Sequence, residues 1–78
     1  MYTVYAISSM NKGYIYVGHT SNLSRRLEEH NNGKERTTRS YAPYKLTYTE
    51  LKSTRPEARE REKYLKSGVG KEFLRSLV

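Results

Sequence analysis

Within the first eighteen residues, two runs rich in β-branched and aromatic side chains, Tyr2 to Ser8 (YTVYAIS) and Tyr14 to Gly18 (YIYVG), flank Ser9-Met10-Asn11-Lys12-Gly13. Such side chains suit a pleated, half-buried surface, and Asn and Gly tolerate the positive φ that a chain reversal needs. The segment reads as an antiparallel hairpin, which settles most of a small sheet at the outset. With a tight turn, Tyr5 and Tyr16 stand opposite each other on one side of the sheet. A bulge at Gly13 would shift that register.

The hairpin leads into a helix. Thr20, Ser21 or Asn22 can cap its start, Leu23 and Leu27 lie one turn apart, and Asn32-Gly33 ends it. Continuing the inner stripe through 23, 26, 27 and 30 adds Arg26 and His30, where a helix of this kind ordinarily buries aliphatic residues. Residues 33 to 43 (GKERTTRSYAP) show no apolar period and read as an exposed basic loop. Lys34, Arg36 and Arg39 on that loop are candidates for phosphate contacts.

Tyr44 to Leu51 (YKLTYTEL) supplies a third strand. Thr54 and Glu57, with capping-box spacing and Pro56 in the first turn, then start a second helix that runs to about Lys66. Its inner face carries Ala58 and Leu65, and position 62 falls on the same face, so Glu62 projects toward the sheet. Gly68 and Gly70 interrupt the chain before a last short helix, on which Phe73, Leu74, Leu77 and Val78 cluster on one side. The expectation is an α+β fold in the order β-β-α-β-α-α: a small three-stranded antiparallel sheet flanked by about three helices, forming one domain over residues 1–78.

At 78 residues the core is thin, since a chain of this size buries roughly 60% of the surface its unfolded form exposes. No cysteine is present to add a disulfide or a thiolate metal site. No apolar run has membrane-spanning length and the amino terminus lacks the blocks of a secretion signal, so a cytoplasmic protein that does not enter membranes is expected. The net charge of +7, from 15 Lys and Arg against 8 Asp and Glu, favours a polyanionic partner.

Tyr5, then Tyr16-Val17-Gly18 eleven residues later, resembles the two paired segments that name the GIY-YIG nucleases. The run Tyr16, Gly18, Thr20, Leu23, Arg26, His30 and Gly33 resembles the YxGxTxxLxxRxxxHxxG pattern of compact members of that family. Glu57-Ala58 followed by Arg61-Glu62-Lys63 and Lys66 looks like its EAxxREKxxK segment, which carries the family's metal-binding glutamate. In two respects the chain departs from the pattern: its first segment reads Thr-Val-Tyr without a glycine, and no asparagine follows Asn32. Larger relatives add a separate DNA-binding or partner domain. A compact member would instead take its targeting from DNA structure or from a protein partner.

The resemblance implies a divalent-metal-dependent DNA endonuclease acting on double-stranded or branched DNA, as in repair or recombination, with Tyr5 and Tyr16 both in the active site. The residue chemistry agrees with this. Glu62 offers a hard oxygen ligand for Mg²⁺ or Mn²⁺. Arg26 offers a planar fork of donors that fits phosphate and remains charged at any working pH. Either tyrosine can act as a base only where nearby cations favour the phenolate, and His19, Arg26 and the metal are the candidates for that field. His30, one turn from Arg26, is placed to hydrogen-bond a tyrosine or relay a proton, and Lys66 joins the loop cations as a nucleic-acid contact. Taken singly, each residue has an ordinary structural explanation; their joint occurrence on inward faces is what points to one reaction. The alternative function is a non-catalytic nucleic-acid-binding module.

Overall fold

The computed structural model describes all 78 residues. Strand β1 (Tyr2–Ser9), strand β2 (Ile15–Thr20), helix α1 (Leu23–Asn31), a single 3₁₀ turn (Arg39–Tyr41), strand β3 (Tyr44–Lys52), helix α2 (Arg55–Leu65) and helix α3 (Gly68–Arg75) follow in that order. The α+β architecture and the element order match the expectation from sequence. The sheet is fully antiparallel in the order β2-β1-β3, so the amino-terminal strand is central and both of its faces are covered.

Alternation along β1 divides the core in two. Val4 and Ala6, with Val17 of β2, pack against Ala58 and Leu65 of α2 and Leu74 of α3. Tyr5 and Ile7 project from the other face into a cluster with Tyr44, joined by Tyr14, Tyr16, Leu23 and Leu27. Helix α1 therefore covers one face of the sheet while α2 and α3 cover the other. A bulge between Ala6 and Ile7 in the pairing of β1 with β3 sets Tyr48 against Ala6 and Leu46 against Ile7, leaving Thr47 as the extra residue. Its hydroxyl donates to the Ala6 carbonyl at 3.2 Å. Because of this extra residue, Leu46 and Tyr48 serve opposite faces of the sheet although both are even-numbered.

The hairpin turn is wider than a tight one. The Ser9 amide donates to the Tyr14 carbonyl at 2.9 Å, and the Ser9 hydroxyl accepts from the amides of Lys12 and Asn11. In the resulting register Tyr5 lies opposite Gly18 and Tyr16 opposite Ile7, so the two tyrosines are diagonal neighbours and not a facing pair. A slip of two residues keeps both side chains on one face, whereas a slip of one would have separated them.

Each helix start carries the cap that its local sequence calls for. Asn22 accepts from the Arg25 amide, and Thr54 and Glu57 form a reciprocal capping box with Pro56 in the first turn. Gly33, at φ +73°, ends α1 in a conformation that side chains rarely adopt. The two glycines near the carboxyl end do not interrupt the chain as the sequence suggests; both lie inside α3, capped by Ser67. A Cβ on Gly70 would sit 2.4 Å from the Leu65 Cα and 2.4 Å from the Tyr64 carbonyl oxygen. This residue is therefore the contact that lets α3 turn back against the end of α2. Of the four apolar residues expected on one side of α3, only Leu74 is buried.

Candidate active site

The site begins at Gly18. A Cβ there would lie 2.8 Å from the Tyr5 hydroxyl and 3.0 Å from the Tyr16 ring, so the missing side chain leaves room for the Tyr5 phenol to lie across β2. The Tyr5 and Tyr16 rings are 6.3 Å apart, and the His30 ring lies 4.9 Å from that of Tyr16.

His30 is completely buried on the inner face of α1. Its Nε2 is hydrogen-bonded to the Tyr5 hydroxyl at 2.8 Å and its Nδ1 to the Thr38 hydroxyl at 2.9 Å. Burial first, and then the positive charge of Arg26, lowers the pKa of His30, so the ring is neutral at neutral pH. Thr38 is itself fully buried, and its carbonyl accepts from the Tyr44 hydroxyl at 2.8 Å. The segment read as an exposed loop thus carries one anchored residue that closes the polar chain Tyr5–His30–Thr38. Nothing in the local sequence marks Thr38, but a buried histidine needs partners for both ring nitrogens, and that requirement called for a second residue.

Removing this hydroxyl while keeping the shape of the side chain leaves Nδ1 buried without a partner. Thr38→Val is therefore expected to destabilise the fold by about 1–3 kcal/mol, a fall in Tm of about 4–8 °C per kcal/mol, with Thr38→Ser close to the parent protein. Thermal unfolding followed by circular dichroism measures both variants; equal Tm values for Thr38→Val and the parent would remove Thr38 from this role.

Arg26 lies on the same face of α1, a quarter of its side chain exposed. Its fork meets Glu29 at 3.0 Å and Glu35 at 3.4 Å. Burial opposes its charge, but the contacts with Glu29, Tyr5 and Glu35 outweigh this and raise its pKa. Both carboxylates escaped the sequence reading. Glu29 has visible helical spacing from Arg26, whereas Glu35 arrives only through the path of the chain after Gly33. The Tyr5 phenol is pushed up to about 12, chiefly by burial and then by Tyr16, with Arg26 pulling the other way. Burial thus wins over the neighbouring cation, and the resting form of Tyr5 is the phenol and not the phenolate that the nearby cations suggested.

Glu62 approaches from the opposite face of the sheet, on α2. Its carboxylate meets His19 Nδ1 of β2 at 2.5 Å and Lys66 Nζ at 2.7 Å. Burial opposes its ionisation, but the hydrogen bonds from Lys66 and His19 prevail and lower its pKa. No hydrogen bond links Glu62 directly to either tyrosine; its charge reaches Tyr5 only as a weak repulsive effect on the phenolate. The site therefore has two halves, with Tyr5, Tyr16, His30 and Arg26 on the α1 face of the sheet and Glu62 with His19 on the α2 face. Lys34, Arg36 and Arg39 lie exposed on the loop after α1, and Lys66, also exposed, is occupied by Glu62.

Residues 1–74 match the family model described as the GIY-YIG catalytic domain. The chain belongs to the GIY-YIG family. A UPF0213 protein of Bacillus licheniformis is 43% identical over 61 residues, which is 77% of this chain and 63% of the relative. A second, from Clostridium perfringens, is 43% identical over 67% of this chain and 57% of its own length. The chain thus spans about three fifths of those two relatives. A UPF0213 protein of Staphylococcus epidermidis is 32% identical over 91% of this chain and 88% of the relative. The solution NMR structure of the UPF0213 protein BH0048 from Bacillus halodurans superposes with a TM-score of 0.57 at 33% identity, covering 99% of this chain and 85% of that one. GIY-YIG membership supports a nuclease-like role for the domain. No helix is long and apolar enough to cross a membrane.

Proposed function

We propose that this GIY-YIG domain is a divalent-metal-dependent endonuclease that hydrolyses phosphodiester bonds of DNA. The observation that carries the reading is a phenol hydrogen-bonded to a buried neutral histidine with an arginine fork beside it, together with an ionised carboxylate held by His19 of the neighbouring edge strand.

Glu62 is the residue that would hold the metal. Its donor atoms are hard oxygens, it remains ionised at neutral pH, and hydrogen bonds from Lys66 and His19 already favour its charge. No group of three His, Cys, Asp or Glu side chains forms a cage. Such a donor set suits Mg²⁺ or Mn²⁺, ions that keep much of their shell as water and substrate phosphate. When bound, the ion would offset charge on the phosphoryl oxygens.

The protein's own groups supply the remaining chemistry. Tyr5 stays protonated until it is used, and its hydrogen bond to His30 Nε2 gives that proton a destination. The phenol oxygen can then take a proton from the attacking water as it passes its own to the imidazole. Thr38, bonded to the far ring nitrogen, holds the ring in line for this transfer. Tyr16 borders the same space and orients water or phosphate. Arg26 is held by Glu29, while the side of its fork now facing Glu35 is the side that an incoming phosphate oxygen would take. His19 steadies the Glu62 carboxylate, and the cations at Lys34, Arg36, Arg39 and Lys66 draw in the polyanionic strand.

The test is cleavage of supercoiled plasmid, flapped DNA and four-way junctions in Mg²⁺ and in Mn²⁺. Cleavage should appear with either ion, disappear with chelator, and fall by about 10²–10³-fold in Glu62→Gln with circular dichroism unchanged. Full activity in Glu62→Gln would refute the role of that carboxylate. Salt-sensitive DNA binding without cleavage in either metal would favour the non-catalytic binding module instead.

A further inference from the structure

Helix α2 presents two unlike flanks, fixed by its contacts with the two edge strands. Glu62 meets His19 of β2 on one side, and Arg61 meets Glu50 of β3 at 3.1 Å on the other, with Ala58 and Leu65 buried between them. A turn of about 100° per residue then places Arg55, Arg59, Lys63 and Lys66, all exposed, on the β2 flank beside Glu62. Glu57, Glu60 and Tyr64 fall toward β3, where they border one shallow hollow with Arg61 and Lys52. Glu60 also reaches the boundary with Arg59 and Lys63, yet pairs with neither.

This segregation runs against the helix's own electrostatics. Arg55 with Arg59, and Arg59 with Lys63, are like charges at i,i+4, which repel each other. Arg55 also sits in the first helical turn, where the backbone dipole disfavours a cation. A merely solvated face would interleave the signs. Arg55, Arg59 and Lys63 take part in no ion pair, so no carboxylate of the chain offsets them. Both ends of the row are tied to the metal half of the site. Arg55 lies over the Tyr2 ring at 5.3 Å, and Tyr2 in turn meets the His19 ring edge-on at 6.5 Å. Lys66 pairs with Glu62 at 2.7 Å.

The composition of the flank selects the partner. The one large apolar side chain exposed on α2, Tyr64, lies on the other flank against Arg61. The row therefore lacks the apolar surface that a membrane or a protein partner would bury. Cations alone, in steps of about 4.5–6 Å over about 16 Å, suit a chain of phosphates, and that length equals the rise of about five base pairs. We propose that the β2 flank of α2 is a track for the DNA backbone, on which Arg55, Arg59 and Lys63 hold phosphates of the duplex beyond the cut without reading its bases. The inference rests on the nuclease reading for placing the cut at Glu62; binding along the track is measurable without metal or cleavage.

The experiment is fluorescence anisotropy, without metal, on two labelled duplexes of unrelated sequence. It compares the parent with Arg59→Gln/Lys63→Gln, which leaves the Arg55–Tyr2 and Lys66–Glu62 contacts in place. Lys45→Gln/Arg75→Gln removes the same charge from exposed positions elsewhere and is the control. The track variant should bind both duplexes about tenfold or more weakly, with a salt slope shallower by about 2. The control should lose less than about threefold, with its slope changed by less than about 1. The Tm of the track variant should equal or exceed that of the parent, because repulsion is relieved and glutamine is a comparable helix former. Polyglutamate, standing in for an acidic protein, should compete poorly with the duplex at equal charge. Equal losses in both variants would reduce the row to bulk charge, and a loss on one duplex only would mean base reading. A lowered Tm would make the row structural, and strong competition by polyglutamate would point to an acidic protein. Each of these results overturns the proposal. Cleavage by the parent together with unaltered binding by the track variant would strike the track and leave the nuclease reading. Binding through the track with no cleavage by the parent would strike the nuclease reading alone.

Discussion

Arg26→Ala is expected to lower the rate of DNA cleavage by about 10²–10³-fold, the loss seen when one well-placed donor to a developing oxyanion is removed, or about 2.7–4 kcal/mol of transition-state stabilisation. Two effects combine. The fork that matches phosphate is lost, and Glu29 and Glu35, now held at 3.0 and 3.4 Å by the guanidinium, lose their shared cation, Glu29 keeping only Arg25 at 3.9 Å, so the negative charge left beside the proposed phosphate position is no longer offset there. The fold should survive, because these ion pairs are partly exposed and contribute on the order of 1 kcal/mol or less. Arg26→Lys keeps the charge and loses the fork, so it should recover only a small part of the rate. Single-turnover cleavage at saturating DNA measures this. A rate within threefold of the parent protein in Arg26→Ala would exclude Arg26 from the transition state.

The largest expected effect on stability comes from a residue outside the site. Gly70→Ala should destabilise the protein by about 3 kcal/mol and lower Tm by about 12–24 °C. Helix propensity alone predicts the opposite sign, since alanine in a helix interior is favoured over glycine by about 1 kcal/mol. The contact decides the outcome: the added Cβ meets the Leu65 Cα and the Tyr64 carbonyl at 2.4 Å, and backbone atoms cannot swing aside as a flexible side chain can. Helix α3 must move off α2, taking Leu74 out of the core that it shares with Leu65 and Ala58. Gly68→Ala is the matched control. It lies in the same helix with nothing within 4 Å of its Cβ position, and should be neutral or stabilising by about 0.5–1 kcal/mol. Thermal melts of the two variants side by side separate packing from propensity, and a Tm for Gly70→Ala at or above that of the parent would show that α3 does not dock as described.

Much of the fold was legible because its determinants are local. The β-branched runs, the Asn22 cap and the Thr54–Glu57 box act within four residues of themselves, and each element appears where its signal lies. Determinants set by distant neighbours were not legible. The hairpin register depends on hydrogen bonds that Ser9 makes around the loop, and the extra residue at Thr47 depends on two strands fitting both faces of β1. Gly70 looks like a helix breaker until the backbone of α2 is placed beside it. The same division runs through the site. Arg26, His30 and Glu62 stood out as polar residues on inward helical positions, whereas Thr38 and Glu35 are brought to them only by the course of the chain beyond Gly33.

The division of the site between the two faces of the sheet has a consequence for how activity would be lost. Tyr5 and His30 are fastened to the central strand and to α1, while Glu62 rides on a helix whose grip on the sheet comes mainly through Ala58 and Leu65. A sub-global opening that lifts α2 and α3 together would carry the carboxylate away and leave the sheet and the phenol–imidazole pair in place. The proposed turnover would then register the docking of two helices, and heat or denaturant would silence it while most of the secondary structure is still intact.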